Sequence, residues 1–313
     1  MEATDHYRTL ARTDPDAHLP DLAMTLNNLS VRLGEAGRRP EALSAVQEAV
    51  AIRRTLAAAN PAAHLSDLAT SLNNLSVDLG EAGRRAEALT VIEEAVAIRY
   101  ALAAVNPDAY LPDLAGALNN RSIRLAAAGR RAEGLTVAME ATDHYRTLAR
   151  TNPDAHLPDL AGALNSLSNR LGEAGRRAEA LTTAEEAVAI RRTLAAANPA
   201  AHLPDLAISL NNLSIRLGEA GRRPEALTSI EEAVVIRRTL AETNPDAHLP
   251  DLATSLNNLS IRLGGAGRRA EGLAAVAEAT GHYRTLAEAD PDLFGPALQQ
   301  SLNVAAWLEG LDP

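Results

Sequence analysis

An all-α solenoid of two-helix repeats is the fold class this sequence predicts, and three observations predict it. The first is a fixed period. An Asn-Pro or Asp-Pro pair falls at Asp14-Pro15, Asn60-Pro61, Asn106-Pro107, Asn152-Pro153, Asn198-Pro199, Asn244-Pro245 and Asp290-Pro291, each 46 residues from the next without insertion or deletion. A period of roughly 20–50 residues marks a stack of repeats, none of which buries its apolar face alone. The second is composition: 46% of residues are hydrophobic but only 2% are aromatic, so the core is Leu, Ala, Val and Ile, the material of close-packed helices. The third is punctuation, with glycine recurring between two helical patterns in every period, at Gly37, Gly83, Gly129, Gly175, Gly221 and Gly267.

The first helix of a repeat is expected from about Pro20 to Ala36. Leu22, Leu26, Leu29 and Leu33 form one apolar stripe at helical spacing. Pro20 is expected in the first turn, where it forfeits no hydrogen bond, and Asp21 complements the helix dipole. Gly37 ends the helix, because glycine enters the left-handed region without a Cβ penalty. The second helix is expected from Arg39 to Ala59, with Ala42, Val46, Ala49, Ile52 and Leu56 inward; the small Ala42 and Ala49 let neighbouring helices approach. The following Asn-Pro stops it, since the residue before proline is pushed out of the α region.

One solenoid over residues 1–313 is the expected organisation: a partial helix at 1–17, six full repeats at 18–293 and a capping helix at 294–313. The stretch from Met1 to Arg12 matches Met139 to Arg150 residue for residue, so the chain is expected to start in mid-helix, cut from a longer array or begun at an internal methionine. An incomplete first repeat leaves apolar helix face uncovered, and self-association there is an expectation. His6-Tyr7-Arg8 returns at His144-Tyr145-Arg146 and His282-Tyr283-Arg284, 138 residues apart each time, so the array grew partly by copying three repeats together. Phe294, Gly295 and Trp307 depart from the repeat and read as a cap over the end of the stack.

Composition excludes several chemistries. With no cysteine there is no disulfide, thiolate metal site or cysteine nucleophile. All 30 basic residues are Arg, which removes lysine Schiff bases and phosphate-loop lysines. A net charge of −10 argues against nucleic acid as the partner. No apolar run is long enough for a transmembrane helix, no membrane is expected, and a cytoplasmic location is. Ser, His and Asp recur in every repeat without assembling one site, so no enzyme activity and no cofactor are predicted. His18, His64, His156, His202 and His248, with Tyr110 in the series, fall one per repeat in the expected linker; a lone histidine does not supply the converging ligands of a metal.

The succession Leu26-Asn27-Asn28-Leu29-Ser30, Leu33, Gly37, Ala42, Val46 and Ala49 resembles the tetratricopeptide repeat, with Ser30, Gly37, Ala42 and Ala49 at its small positions. The wording looks most like the long-helix, kinesin-light-chain-like subgroup, and the likeness runs from Met1 to about Asn303. The period of 46 is longer than the family's usual length, and Leu33 and Arg39 stand where aromatics are common. The resemblance implies a right-handed superhelix whose first helices line a concave groove, and a scaffold that binds a protein or peptide partner.

Two columns are candidate sites. Asn27, Asn73, Asn119, Asn165, Asn211 and Asn257, continuing to Asn303, recur in mid-helix although asparagine is a mediocre helix former. Asn28, Asn74, Asn120, Asn212 and Asn258 follow them, with Ser166 and Val304 in the remaining places. The resemblance implies that such asparagines bind a peptide's backbone amides, which a primary amide matches with donors and an acceptor. The alternative is that the amides tie neighbouring helices together. Val31, Val77, Ile123, Ile215 and Ile261 supply an apolar floor, interrupted by Asn169. The pairs Arg38-Arg39, Arg84-Arg85, Arg130-Arg131, Arg176-Arg177, Arg222-Arg223 and Arg268-Arg269 make a basic stripe, flanked by acids such as Glu35 and Glu41 and so expected as a solvated ion-pair ladder. The functional expectation is a non-catalytic interaction scaffold; the second reading is a sensor or regulatory module of a larger signalling protein with an NTPase or protease effector upstream of Met1.

Overall fold

A computed structural model describes residues 2–310, apart from the side chains of Glu2, Glu35 and Asp246. Among the described residues it is an all-α solenoid of TPR-like repeats, fourteen helices and no strand. The first helix is α1 (Glu2–Thr13). The paired helices follow: α2 (Pro15–Glu35) with α3 (Arg39–Ala59), α4 (Pro61–Glu81) with α5 (Arg85–Val105), α6 (Pro107–Ala127) with α7 (Arg131–Thr151), α8 (Pro153–Glu173) with α9 (Arg177–Ala197), α10 (Pro199–Glu219) with α11 (Arg223–Thr243), and α12 (Pro245–Gly265) with α13 (Arg269–Ala289). The last helix is α14 (Pro291–Glu309).

The glycine stop forms as expected. Gly37 has φ of 73°, its N–H bonds the Gly34 carbonyl at 2.9 Å, and the Arg38 N–H bonds the Leu33 carbonyl at 2.8 Å. This Schellman pattern satisfies carbonyls that the helix end leaves open. The Asn-Pro junction corrects the sequence reading. No linker separates α3 from α4: Asn60 ends one helix and caps the next, its side chain accepting the Ala63 N–H at 3.3 Å. Pro61 follows at the first helical position, where its missing N–H would be unpaired anyway. Each first helix therefore starts at the proline of the pair, at Pro15 rather than Pro20, and the histidine series lies within helices. Pro20, Pro112, Pro158, Pro204 and Pro250 sit inside their helices. Pro20 thus forfeits a bond to the Asp16 carbonyl, against the expectation that it forfeits none.

The inward face of the second helix is also corrected. Ala42, Val46 and Ala49 are buried as expected, but so are Ala45, Val50, Arg53 and Ala57, while Ile52 and Leu56 are only half-buried. A second helix packs against the first helix before it and the one after it, α3 against both α2 and α4, so its covered face is wider than one stripe.

Two compact units divide the chain, Met1–Ser166 and Leu167–Pro313, with the boundary inside α8. In the first, Val46, Leu72, Leu75, Ile92, Leu118 and Leu125 belong to one apolar cluster, and Leu22, Leu26, Ala42 and Ala49 lie in the cluster beside it. In the second, Leu206, Leu210, Leu217 and Ile230 do the same. At α14 the buried anchor is Leu308; Trp307 stays 43% exposed. The Arg269 guanidinium donates to the Leu308 and Glu309 carbonyls at 2.9 and 2.6 Å, closing that helix end.

Candidate functional site

The asparagine columns form amide pairs between successive first helices. Asn74 Nδ2 donates to Asn27 Oδ1 at 3.2 Å, Asn120 Nδ2 to Asn73 Oδ1 at 2.9 Å, and Asn258 Nδ2 to Asn211 Oδ1 at 2.9 Å. In each of these three pairs the acceptor is a first-column residue and the donor the second-column residue of the next repeat, one period and one residue away. Where that place holds another residue the pairing fails: Asn119 faces the register of Ser166 and Asn257 that of Val304, and both Oδ1 atoms are buried without a partner. Asn27 also accepts from the Ser71 hydroxyl at 3.1 Å.

Burial grades the columns. Asn27, Asn165 and Asn257 are buried, Asn28 is exposed, and Asn73, Asn74, Asn119, Asn120, Asn211, Asn212 and Asn258 are half-buried. A primary amide has two donor hydrogens and an acceptor oxygen, and each pair consumes one donor and one acceptor. A pair such as Asn73–Asn120 therefore retains donors on one amide and acceptor capacity on the other, whichever of the two donates. Val31, 45% exposed, and the half-buried Val77, Ile123, Ile215 and Ile261 stand four residues from the first column along the helices.

A column of buried arginines lies beside the amides, and the sequence reading missed it. Arg53, Arg99, Arg191 and Arg237 are 4–6% exposed on the second helices; Tyr7, Tyr145 and Tyr283 occupy the same register. Each guanidinium reaches the first helix that follows. Arg99 bonds the Asp113 carboxylate at 2.5 Å and, on the first helix before it, the Thr70 hydroxyl at 2.6 Å; Arg191 and Arg237 pair with Asp205 and Asp251 at 2.8 and 2.7 Å. Burial lowers the pKa of Arg237 to about 10 and also lowers that of Arg99, with Asp113 opposing it. The signal was available: Arg53 continues the inward spacing of Ala49 and Val50. In the first compact unit this column borders a cavity of about 260 Å³ lined by Thr70, Asn73, Arg99, Asp113, Asn120 and Tyr145. Burial raises the Tyr145 hydroxyl pKa, with Asp159 and Asp113 adding to it.

The Arg-Arg turns are an ion-pair ladder. Arg84 pairs with Glu87 at 2.6 Å within its helix; Arg130 reaches both Glu133 at 2.6 Å and Glu93 of the preceding repeat at 3.3 Å. Arg222 likewise takes Glu225 and Glu185. The hydrogen bond to its glutamate raises the pKa of each of these arginines. The Glu35 side chain, expected to flank the first pair, lies outside the described residues. Second helices are cross-tied too, as by Arg54–Glu94 at 2.5 Å and Arg192–Glu232 at 2.6 Å.

Paired helices capped by Asn-Pro and glycine, with small residues at the crossings and polar columns on the first helices, define a helical-repeat protein of the interaction-module class. The Tetratricopeptide repeat family matches residues 22–61, 68–102, 160–199 and 206–246. The chain is a tetratricopeptide-repeat protein. Solved structures share the fold. BtubC (BKLC) from P. vanneervenii is similar at 17% identity and a TM-score of 0.59, over 89% of this chain and 94% of that one. A Podosopora anserina kinesin light chain-like protein of nearly identical TPR-like repeats is similar at 21% identity and a TM-score of 0.53, over 72% of this chain and 98% of that one. A Rap protein complexed with competence and sporulation factor is similar at 13% identity and a TM-score of 0.58, over 98% of this chain and 86% of that one. No curated protein sequence matches the chain. No helix among the described residues is long and apolar enough to cross a membrane.

Proposed function

We propose that this chain is a protein-interaction scaffold whose first helices hold an extended segment of a protein partner against the asparagine columns. The observation that carries the reading is the residual capacity of the amide pairs. Asn73–Asn120 and Asn211–Asn258 each use one N–H and one acceptor site in their bond, and each pair has further N–H donors and acceptor capacity to offer. A peptide group has one of each, so such a pair recognises backbone whatever the side chain. The same pairs tie the helices together, and the two roles coexist because the tie uses one N–H and one acceptor site of the two amides. The repeat family and a neighbour of the same fold seen in complex with competence and sporulation factor support a binding role.

The test is capture of partners from source-cell lysate by the wild-type chain, by a chain with Asn73, Asn119, Asn165 and Asn211 changed to Ala, and by one with the outer ion pairs Arg54–Glu94 and Arg192–Glu232 neutralised. Helicity and melting are measured for all three. The expected result is loss of the bound proteins from the asparagine variant alone, with its helicity retained. Retention of the same proteins by a folded asparagine variant would sink the reading.

A further inference from the structure

A second arginine column runs through the C-terminal turns of the first helices, and one of its positions is vacant. The register reads Arg32, Asp78, Arg124, Arg170, Arg216, Arg262 and then Leu308. Arg124, Arg216 and Arg262 each press the guanidinium Nη1 against a glycine of the preceding first helix, whereas Ala126 stands at that register before Arg170. A Cβ built on Gly80 would fall 1.6 Å from Arg124 Nη1, on Gly172 1.8 Å from Arg216 Nη1, and on Gly218 2.1 Å from Arg262 Nη1. Gly34 is the glycine of the first full repeat, and nothing lies within 4 Å of the corresponding point, because Asp78 is too short to cover it. A cavity of about 220 Å³ opens there between α2 and α4, lined by Val31, Gly34, Asn74, Val77, Asp78 and Glu81.

We propose that this cavity binds an arginine side chain of the partner segment, whose guanidinium takes the place over Gly34 that Arg124, Arg216 and Arg262 take in the sibling repeats. The proposal rests on the groove reading for the course of the peptide backbone, since Asn74 belongs both to the cavity wall and to the Asn27–Asn74 amide pair.

Charge supports the assignment. Glu81 is already paired with Arg39 at 3.0 Å, whereas Asp78 Oδ2 is buried and has no hydrogen-bond partner. The wall thus presents one carboxylate in need of a donor, and a guest cation meets it. Burial, with Glu81 adding to it, holds the Asp78 carboxyl pKa up at about 6, the behaviour of an acid left without its counter-ion. Shape selects arginine over lysine: a long planar guanidinium can set one nitrogen against a bare glycine, as in the sibling repeats, and still fork to a carboxylate, and a compact ammonium cannot do both.

The test follows the methyl groups of Val31 and Val77 and the side-chain amides of Asn73 and Asn120 by NMR on the full chain. The probes are acetyl-Ala-Arg-Ala-amide, its citrulline analogue, which is isosteric and neutral, and methylguanidinium, which has no peptide backbone. The variants are Asp78→Arg, which fills the cavity as the siblings do, and Asp78→Asn. Saturable shifts at Val31 and Val77 are expected with the arginine peptide, about tenfold weaker with citrulline, lost in Asp78→Arg and weakened in Asp78→Asn. Equal binding of the two peptides, or wild-type binding by either variant, overturns the proposal. Should Asp78→Arg fail to fold, Asp78→Asn decides alone. Shifts at Val31 and Val77 with methylguanidinium but none at Asn73 and Asn120 with the peptide retain the cavity and count against the backbone reading. Shifts at the asparagines with both peptides and none at the valines retain the ladder and overturn the cavity.

Discussion

Asp78 carries a measurable consequence whatever binds beside it. Its folded pKa of about 6 lies above the ordinary value of 3.8 because burial, with Glu81 adding to it, disfavours the charge. The charged groups around the cavity and its adjoining recess are Glu81 on the same helix and Arg39 on α3. The folded state holds the Asp78 proton more tightly than the unfolded chain does, so this residue's contribution falls as pH rises from about 4 to 6 and is flat above. Asp78→Asn removes that fall. It is expected to stabilise the protein at pH 7 by about 1–2 kcal/mol, with the gain gone near pH 4, read from denaturant midpoints across that range. The asparagine pairs give a second residue-scale prediction. Asn73 accepts from Asn120, whereas the buried Asn119 Oδ1 accepts nothing. Alanine raises helix propensity equally at both positions, so the difference isolates the hydrogen bond. Asn119→Ala is expected to be more stable than Asn73→Ala by about 1 kcal/mol, and equal melting temperatures would show the amide pair to be energetically idle.

At the scale of one helix, glycine sorts into kinds by what lies beside it. Gly83 has φ of 74° and serves the turn, but Gly34 and Gly80 are helical and differ only in their cover. Gly34→Ala meets open space and gains helix propensity, an expected stabilisation of about 0.5–1 kcal/mol. Gly80→Ala drives a methyl into the Arg124 guanidinium and displaces it, an expected loss of about 1–3 kcal/mol. Opposite signs in thermal melts support the vacancy over Gly34; the same sign for both argues against it. Elements of this kind were only partly legible in the sequence. Gly37 was readable as a helix stop because the reason is local backbone conformation. The start at Pro15 was not, because Asn60 and its counterparts cap two helices at once and a junction of that kind reads as a linker. Arg53 was hidden by its charge: burial depends on Ser71 and the Asp67 carbonyl, which come from the next repeat and which no window on α3 contains. The amide pairs were visible as columns, but which asparagine meets which is fixed by helix packing, one residue off the repeat register.

Across the molecule, every tie described here joins residues about one period apart or closer: Asn27 to Asn74, Arg54 to Glu94, Arg53 to Ser71. Stability in such an array is a sum of repeat and nearest-neighbour terms. Removal of one whole period should therefore leave a foldable chain, provided the register is kept. A chain lacking 61–106 joins Asn60 to Pro107 and restores most ties with an equivalent: Asn27 meets Asn120, Arg53 meets the Asp113 segment, and Arg54 meets Glu140. The Ser71 hydroxyl that bonds Asn27 and Arg53 is lost, because Ala117 stands at its register. Arg39 also loses its acid, since Ala127 stands at the register of Glu81. Helicity per residue by circular dichroism is expected to stay within about 10% of the parent, with one cooperative melt at lower temperature. A chain lacking 61–100 joins Asn60 to Ala101, breaks the period and is expected to lose that cooperativity. If both deletions melt alike, register does not govern the fold. The in-register deletion also brings Arg124 to the place above Gly34. The shortened chain then fills its own cavity, and the arginine-dependent shift at Val31 should vanish while the asparagine pairs persist.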